Sequence, residues 1–328
     1  MSLRSSAGRA AFAVILATVT TAAAVTAFAQ DYPTRPIRII VPFTPGGGTD
    51  LIARLMSQRF YEAFGQVATV ENRPGAGGNI GAEVVVRSPP DGYMLLLSTA
   101  SMAVNVTLYP KMPFDVRKDL VAMTQVASSP IVLCVHPSVP VRTVKELIAL
   151  SKKRPGGLNF GSNGTGTTSH LAGVMLQQSA GLALTHIPYK GASAAMTSLV
   201  AGEVDFGLPA VTSGRPLAAA GKLRALAITT KRRSSVFPDL PTLDSYYPGF
   251  DIDNWFSLFA PAGTPSQIVN RIHAEVVKGL QHPDVKAWFV REGAEPVGST
   301  PAEFAAFLRS EVEKYAKIVK ISGAKPDM

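Results

Sequence analysis

The chain has 328 residues, a formal net charge of +9 and a single cysteine, Cys134, which excludes internal disulfides and the small secreted proteins that depend on them. The lysines and arginines are scattered and accompany no nucleic-acid-binding motif, so we expect no nucleic acid partner. A chain of this length can bury a large core, and two domains are the natural expectation.

Residues 1–29 have the three parts of a secretory signal peptide. Arg4 and Arg9 give a positive start, an apolar stretch follows, and Ala27-Phe28-Ala29 is a cleavage signal. A transmembrane anchor is the alternative, because the apolar stretch is just long enough to cross a bilayer. Its small residues and the absence of a basic flank after it favour cleavage, and we expect a secreted, soluble protein.

The first element of the mature chain is a strand, a glycine-rich loop and a helix. Ile37 to Val41 is a β-branched run typical of a buried strand, and Gly46 to Gly48 follow it. Apolar residues then recur at helical spacing, with Thr49 as the expected N-cap and Gly65 as the expected stop. The free N–H groups of such a helix start, together with the helix dipole, favour an anion at this point.

This loop alone does not determine the kind of anion. No Lys-Ser or Lys-Thr pair follows the glycines, so the loop is not a Walker A motif and a nucleotide phosphate is poorly supported. A carboxylate held by backbone N–H groups fits at least as well. The alternative without function is that Gly46 to Gly48 only make a tight turn between strand and helix.

Further strands and a helix follow in the first half of the chain. Strands are predicted at Val67–Val70 and Tyr93–Leu97, with a helix from about Ala82 to Arg87 between them. The third strand ends in Ser98 and Thr99. Hydroxyls at the carboxyl end of a strand lie where open α/β sheets bind ligands.

The opening pattern occurs again in the second half. After a strand at Ile131–His136 and a helix started by a capping box at Thr143–Glu146, Leu158–Gly161 is predicted as a strand. The loop Ser162–Thr167 follows, and a helix begins near Thr168. Two such helix starts, one in each half, predict a shared cleft between them.

The remaining elements complete an α/β pattern. Strands alternate with helices throughout, which predicts an α/β fold with mostly parallel pairing. Two closing helices are expected after the capping boxes Thr264–Gln267 and Thr300–Glu303. The later predicted elements are strands at Leu184–Pro188, Val204–Leu208, Leu223–Thr229 and Phe256–Ala260, and a helix at Ala192–Ala201.

Seven segments, taken together, resemble one known family. They are Tyr32-Pro33 with Pro36-Ile37-Arg38, Pro42-Phe43 with Pro45-Gly46-Gly47 and Asp50, Glu71 to Gly78, Pro89 with Asp91-Gly92-Tyr93, Gly161-Ser162 with Gly164, Gly166-Thr167 and His170-Leu171, Pro188 to Gly191, and Ala260 to Pro265. They resemble the Bug (TctC-like) family, the extracytoplasmic solute-binding receptors of tripartite tricarboxylate transporters. The resemblance covers essentially the whole mature chain.

The resemblance implies a type II periplasmic-binding-protein fold, with two α/β lobes and a ligand cleft between them. We expect residues 30–130 plus 256–328 to form lobe 1 and residues 131–255 to form lobe 2. It also implies a periplasmic receptor that captures a di- or tricarboxylate or a related organic acid for a membrane permease, and we expect this receptor to be a monomer. No catalytic residue, metal or cofactor is expected.

The resemblance further implies which residues bind the ligand, largely through main-chain groups and bridging water. They are Phe43, Pro45, Gly46, Gly47 and Thr49 of one loop, Ser162, Asn163, Gly164, Thr165, Gly166 and Thr167 of the other, Ser98 and Thr99 at a third position, and Ala210 at a fourth. Many relatives carry a more polar or acidic residue near Ala210 that reads an amino group. Here Leu208 to Val211 is apolar, which favours a plain carboxylic acid.

Individual side chains have two interpretations each. His170 either contacts the ligand or packs behind its loop, and Phe43 and Tyr189 either line the cleft or belong to the core. Asp50 is either an acid that orients its loop or a first-turn acid stabilised by the helix dipole. Trp255 is a hinge or cleft residue or a packed anchor.

Two other functions remain open at this stage. The first is an enzyme on the same two-lobed scaffold that acts on an acidic or phosphorylated substrate, although no Ser/His/Asp spacing, metal cluster or pair of carboxylates supports it. The second is a ligand-sensing receptor for a signalling kinase.

Overall fold

A computed structural model describes residues 32–326 of the chain. The predicted signal peptide lies outside these described residues. The fold is α/β, with two mixed β-sheets covered by helices. No helix within the described range is long and apolar enough to cross a membrane.

The first sheet has six strands, in the order β11-β4-β10-β3-β1-β2. Its central strands are buried on both faces, which explains their continuous apolar sequences. The strands are β1 (Ile37–Val41), β2 (Ala68–Asn72), β3 (Met94–Thr99), β4 (Leu120–Ser128), β10 (Phe256–Pro261) and β11 (Glu295–Pro296).

The second sheet has five strands, in the order β7-β6-β8-β5-β9. All four residues of β5 are buried, and Cys134 is among them, so its thiol is shielded and burial raises its pKa to about 12. The strands are β5 (Val132–Val135), β6 (Leu158–Ser162), β7 (Leu184–Pro188), β8 (Phe206–Gly207) and β9 (Arg224–Ile228).

The expectation of mostly parallel pairing is wrong. Strands β1, β2 and β3 pair in parallel, as do β6, β7 and β8, but β10 and β5 each pair antiparallel with both of their neighbours. Parallel pairing needs a crossover that returns the chain to the same end of the sheet. β5 and β10 are instead the strands by which the chain enters one sheet from the other, so they arrive from the opposite end.

Ten helices cover the sheets within the described residues. They are α1 (Gly48–Phe64), α2 (Asn79–Val86), α3 (Ser101–Leu108), α4 (Val144–Lys153), α5 (Thr168–Ala180), α6 (Ala192–Ala201), α7 (Val211–Ala219), α8 (Ser266–Leu280), α9 (Pro283–Arg291) and α10 (Pro301–Ser322). Helices α3, α7 and α9 and strands β4 and β11 were not predicted from the sequence. The predicted C-terminal stop of α1 is confirmed, because Gly65 has a left-handed backbone.

The chain passes between the two sheets through two neighbouring segments. One joins β4 to β5 and the other leads into β10, and Pro130 and Asp253 form a β-bridge between them. The N–H of Asn254 also donates to the carbonyl of Ser129 at 3.3 Å. Trp255 follows directly, is fully buried and donates from Nε1 to Glu311 on α10 at 2.9 Å. Trp255 is therefore a packed anchor beside the crossing and does not line the cleft described below.

Candidate functional site

A cleft of about 700 Å³ lies between the loops of the two sheets. The two sides of the cleft come close together at Gly166, where an added Cβ would lie only 2.6 Å from the side chain of Leu108 on α3. The lining residues from the first sheet's side are Phe43, Thr44, Gly47, Gly48, Thr49, Leu51, Ile52, Ala76, Gly77, Thr99, Ser101, Val104, Asn105, Leu108, Tyr109, Phe256, Trp288, Glu292 and Ala294. The others are Ser129, Asn163, Thr165, Gly166, Thr167, Thr168, Ala210, Thr212 and Asn254.

Four helices begin at this cleft. The first residues of α1, α3, α5 and α7, or the residues just before them, all line it. The N-caps of α1, α3 and α7 are Gly47, Ala100 and Ala210, and none of them caps its helix through a side chain. The side chains of these N-caps therefore occupy none of the first-turn N–H groups, although the N–H of Ser101 donates to the Thr99 hydroxyl at 3.3 Å and that of Val211 to the carbonyl of Pro130 at 2.9 Å. The positive ends of the helix dipoles point toward one space.

The expected N-cap Thr49 is wrong by two positions. α1 begins at Gly48 and its N-cap is Gly47, so Thr49 lies buried inside the first turn. The reason is that the N–H of Gly46 in this loop donates to the carboxylate of Asp50 rather than to the hydroxyl of Thr49. With glycine in the capping position, the loop leaves its backbone open to the cleft.

Charge in the cleft is sparse. No lysine or arginine lines it within residues 32–326, and the one charged lining side chain is Glu292. Attraction for an anion therefore comes from backbone dipoles rather than from a cationic side chain.

Asp50 holds the first loop from behind. Its carboxylate accepts from the N–H of Gly46 at 3.0 Å, from Arg54 at 2.9 and 3.1 Å, and from Asn72 at 3.1 Å. Burial acts to raise the pKa of Asp50, but these hydrogen bonds outweigh it and hold the pKa below its usual value. Asp50 does not line the cleft, so its role in the structure is to fix the loop.

A pair of stacked histidines supports the second loop. His170 is buried and its Nδ1 accepts from the N–H of Gly166 at 3.0 Å, while His186 stacks on its ring at 3.9 Å. His186 also shares a 2.6 Å hydrogen bond with the hydroxyl of Ser162. Burial, and then the neighbouring His186, lowers the pKa of His170 to about 4, so its ring stays neutral and keeps its acceptor. His170 packs behind the loop, as one of its two interpretations predicts.

The predicted site residues divide into two groups. Those that line the cleft are Phe43, Gly47, Thr49, Thr99, Asn163, Thr165, Gly166, Thr167 and Ala210. Those that do not line it are Pro45, Gly46, Ser98, Ser162, Gly164, His170 and Tyr189. The second group sits behind or beside the loops: Ser98 is fully buried in β3, and the hydroxyl of Tyr189 bonds to Ser198 on α6.

Several lining residues were not predicted. Ala76 and Gly77 come from the glycine stretch after β2, which belongs to a segment that resembles the family but was not predicted to be part of the site. Asn105 and Tyr109 belong to α3 or its end, and Trp288 and Glu292 to α9 or its end. Because both helices were missed, no sequence signal placed their side chains at the cleft.

A second cavity of about 370 Å³ lies between α5 and α10. It is lined by the sides of these helices rather than by their starts, so it lacks the converging N–H groups of the cleft. Within the described part of the chain, no group of three or more His, Cys, Asp or Glu side chains is placed to hold a metal ion.

Comparison with known proteins places the chain among transport receptors. A family model described as tripartite tricarboxylate transporter family receptor, TctC, matches residues 52–324. Protein BugT of Bordetella pertussis is 38% identical over 319 residues, which cover 96% of this chain and 97% of BugT.

Two solved structures share both the fold and part of the sequence. The R. palustris protein Rpa4515 with adipate is 34% identical with a TM-score of 0.79, over 90% of this chain and 100% of that one. MatC from Rhodopseudomonas palustris with bound malate is 30% identical with a TM-score of 0.74, over 88% of this chain and 100% of that one. Both similarities extend across the two sheets and the cleft, which confirms the predicted fold class.

Proposed function

Because this chain belongs to the TctC family, the receptor family of tripartite tricarboxylate transporters, we propose that it captures a carboxylate-bearing small molecule in the periplasm for such a transporter. The ligand class is a di- or tricarboxylate or a related organic acid. Two relatives of the same fold were solved with adipate and with malate, which supports this class. The family is a receptor family rather than an enzyme family, so the enzyme alternative is set aside.

The observation that carries the proposal is the convergence of four helix starts on a cleft without a cationic side chain among the described residues. Three of these four helix starts have no capping side chain. Free N–H groups at a helix start bind an oxygen anion through hydrogen bonds and through the helix dipole. A carboxylate suits this site better than a nucleotide phosphate, because a polyphosphate is usually held by a lysine or a metal as well. One chain supplies both sides of the cleft, so we propose that it acts as a monomer.

We propose that the ligand's carboxylate lies between the two loops. Gly47 and Thr49 at the start of α1, and Thr165 and Thr167 of the second loop, line the cleft. Their backbone or hydroxyl groups would contact the carboxylate, whereas the N–H of Gly166 already donates to His170. Residues behind the loops, such as Asp50 and His170, act on the ligand by holding these groups in place.

A thermal-shift screen tests the proposal on the mature protein. At a ligand concentration a hundredfold above Kd, binding should stabilise the folded state by about 2.7 kcal/mol and raise the melting temperature. We expect organic acids to raise it and their neutral amides, of matched carbon skeleton, to have no effect. If neutral sugars raise the melting temperature and no acid does, the proposal is wrong.

A further inference from the structure

Glu292 is the one charged side chain that lines the cleft within the described residues. It follows the last residue of α9, and its side chain is 36% exposed. Its Oε1 accepts from Arg291 at 3.2 Å. Arg291 is itself 70% exposed, and solvent-exposed ion pairs of this kind are weak, so Arg291 offsets little of the effect that the Glu292 charge has on a ligand in the cleft.

The position of Glu292 is fixed by close packing of the next residue. Gly293 has a φ of +66°, and a Cβ there would lie 2.9 Å from Val211 and 3.2 Å from the backbone nitrogen of Thr212. The end of α9 is therefore seated against the start of α7, across the cleft. Because there is no room for a side chain at 293, the backbone that carries Glu292 has little freedom to move away.

Trp288 lies one helical turn before Glu292, so both project from the same face of α9. Both line the cleft, together with Ala294 and Asn254. This part of the cleft thus combines an aromatic ring, a small apolar side chain and one carboxylate. It differs from the loops, where the lining groups are glycines and hydroxyls.

The charges restrict what the ligand can place near α9. A second carboxylate there would meet the charge of Glu292 without a lysine or arginine in the described lining to offset it. A hydroxyl or ammonium group would instead donate a hydrogen bond to the carboxylate, and hydrogen bonds to an ionised group are the stronger kind. Repulsion between Glu292 and a second ligand carboxylate therefore disfavours dicarboxylates, and the hydrogen bond favours acids with a donor group. Sites gain specificity by combining such unfavourable and favourable contacts.

We propose that Glu292 is a specificity-determining residue that selects acids carrying a hydrogen-bond donor, hydroxyl or ammonium, away from their carboxylate. By the same charge it excludes acids with a second carboxylate at that end. This inference rests on the proposed function, since it assumes that the helix starts hold the first carboxylate. Within the proposed class of di- and tricarboxylates and related organic acids, it favours amino and hydroxy acids over acids with a second carboxylate at the α9 end of the cleft.

The test measures Kd by calorimetry for two matched series of acids. One series is succinate, 4-aminobutyrate, 4-hydroxybutyrate and butyrate, and the other is adipate, 6-aminohexanoate, 6-hydroxyhexanoate and hexanoate. In the better-binding series we expect the wild-type protein to bind the amino or hydroxy acid at least about tenfold more tightly than the dicarboxylate. Glu292→Gln should reduce that preference by about tenfold or more and leave the unsubstituted acid unaffected.

Asp284→Asn is the matched control, because it removes the same charge from the first turn of α9 at an 83% exposed side chain that does not line the cleft. It should leave every ratio unchanged. If Glu292→Gln loses affinity only for the amino acids, ammonium is the donor that Glu292 selects. If it loses affinity equally for the hydroxy acids, hydroxyl is also selected. If acids bind but Glu292→Gln leaves the preference unchanged, this inference is wrong while the proposed function stands. If no acid binds either protein, the proposed function fails and the inference with it.

Discussion

At the residue scale, Asp50 illustrates how a buried carboxylate fixes a loop beside the cleft without lining the cleft itself. Its position at the start of a helix was evident from the sequence, and both its interpretations, loop orientation and dipole stabilisation, are compatible with the contacts observed. The sequence could not predict Asn72, which reaches Asp50 from the end of β2. That contact depends on the parallel pairing of β1 with β2.

Replacing Asp50 tests its role in holding the loop. Asp50→Ala leaves the N–H of Gly46 and the amide of Asn72 without their acceptor, and we expect a loss of about 1–3 kcal/mol in the free energy of unfolding. Arg54→Ala is the control, since Arg54 is 55% exposed and should cost less than about 1 kcal/mol. Urea denaturation measures both. Equal, small losses for the two variants would mean that Asp50 does not hold the loop.

The same scale explains which cleft residues sequence reasoning could find. Gly47, Asn163 and Thr167 lie in loops between a clear strand and a clear helix, so local pattern located their loops, and the family resemblance then pointed to these residues. Glu292 and Asn254 reach the cleft only because distant elements pack there, and nothing in their neighbouring residues signals it.

At the element scale, the two long helices of the cleft were predictable and the two short ones were not. α5 begins at Thr168, as expected, and Thr167 caps it by accepting from the N–H of His170 at 3.4 Å. α3 and α7 begin after Ala100 and Ala210, which cannot cap through a side chain. α3 is also mostly buried, so it lacks the polar face that makes a helix visible in a sequence.

The capping boxes show the same dependence on context. The box at Thr300 forms in full, with reciprocal hydrogen bonds between Thr300 and Glu303. At Thr264 no box forms, because its hydroxyl donates to the carbonyl of Pro261 at 2.7 Å and α8 begins after Pro265. At Thr143 the hydroxyl caps α4 by accepting from the N–H of Glu146, but the carboxylate of Glu146 accepts from the backbone N–H of Arg142 rather than from that of Thr143.

The cap of α10 gives a prediction at this scale. Thr300→Ala removes the acceptor for the N–H of Glu303, and we expect the protein to lose about 1 kcal/mol of stability. Ser310→Ala, in the interior of the same helix, is the control and should change stability by less than about 0.5 kcal/mol. Thermal or urea unfolding provides the measurement. A Thr300→Ala protein as stable as the control would show that packing alone fixes the start of α10.

At the scale of the whole molecule, the two sheets were predicted through the family resemblance, whereas their pairing was not. Local sequence shows where strands begin and end, but it does not show from which end the chain enters a sheet. The direction of β5 and β10 follows from the two crossing segments, which meet at the bridge between Pro130 and Asp253. The residue limits proposed for the two lobes, 30–130 plus 256–328 and 131–255, place each crossing close to a boundary.

Asp253 at this crossing makes the stability of the molecule depend on pH. Its Oδ2 accepts from Ser128 at 2.6 Å, but its buried Oδ1 has no hydrogen-bond partner within the described residues. Burial is the main cause that raises the pKa of Asp253 to about 7, and the negative charges of Asp251 and Glu311 raise it further. The hydrogen bond from Ser128 and the positive charge of Lys314 act to lower this pKa. The unfolded carboxyl has a pKa of about 3.9, so between these values the folded protein holds a proton that the unfolded chain releases.

The contribution of Asp253 to the free energy of unfolding should therefore be most favourable at low pH and should decrease as pH rises from about 4 through about 7. Asp253→Asn keeps an acceptor for Ser128 and removes the titration, so its stability relative to wild type should improve between pH 5 and pH 8 by on the order of 2 kcal/mol. His170, with its lowered pKa, acts in the opposite direction, since it destabilises the fold as pH falls below about 6.5. Because His170 titrates equally in both proteins, the difference between their urea-unfolding free energies at each pH isolates Asp253. A difference that is independent of pH would mean that Asp253 is ionised in the folded protein throughout this range, and that the crossing between the sheets tolerates a buried charge.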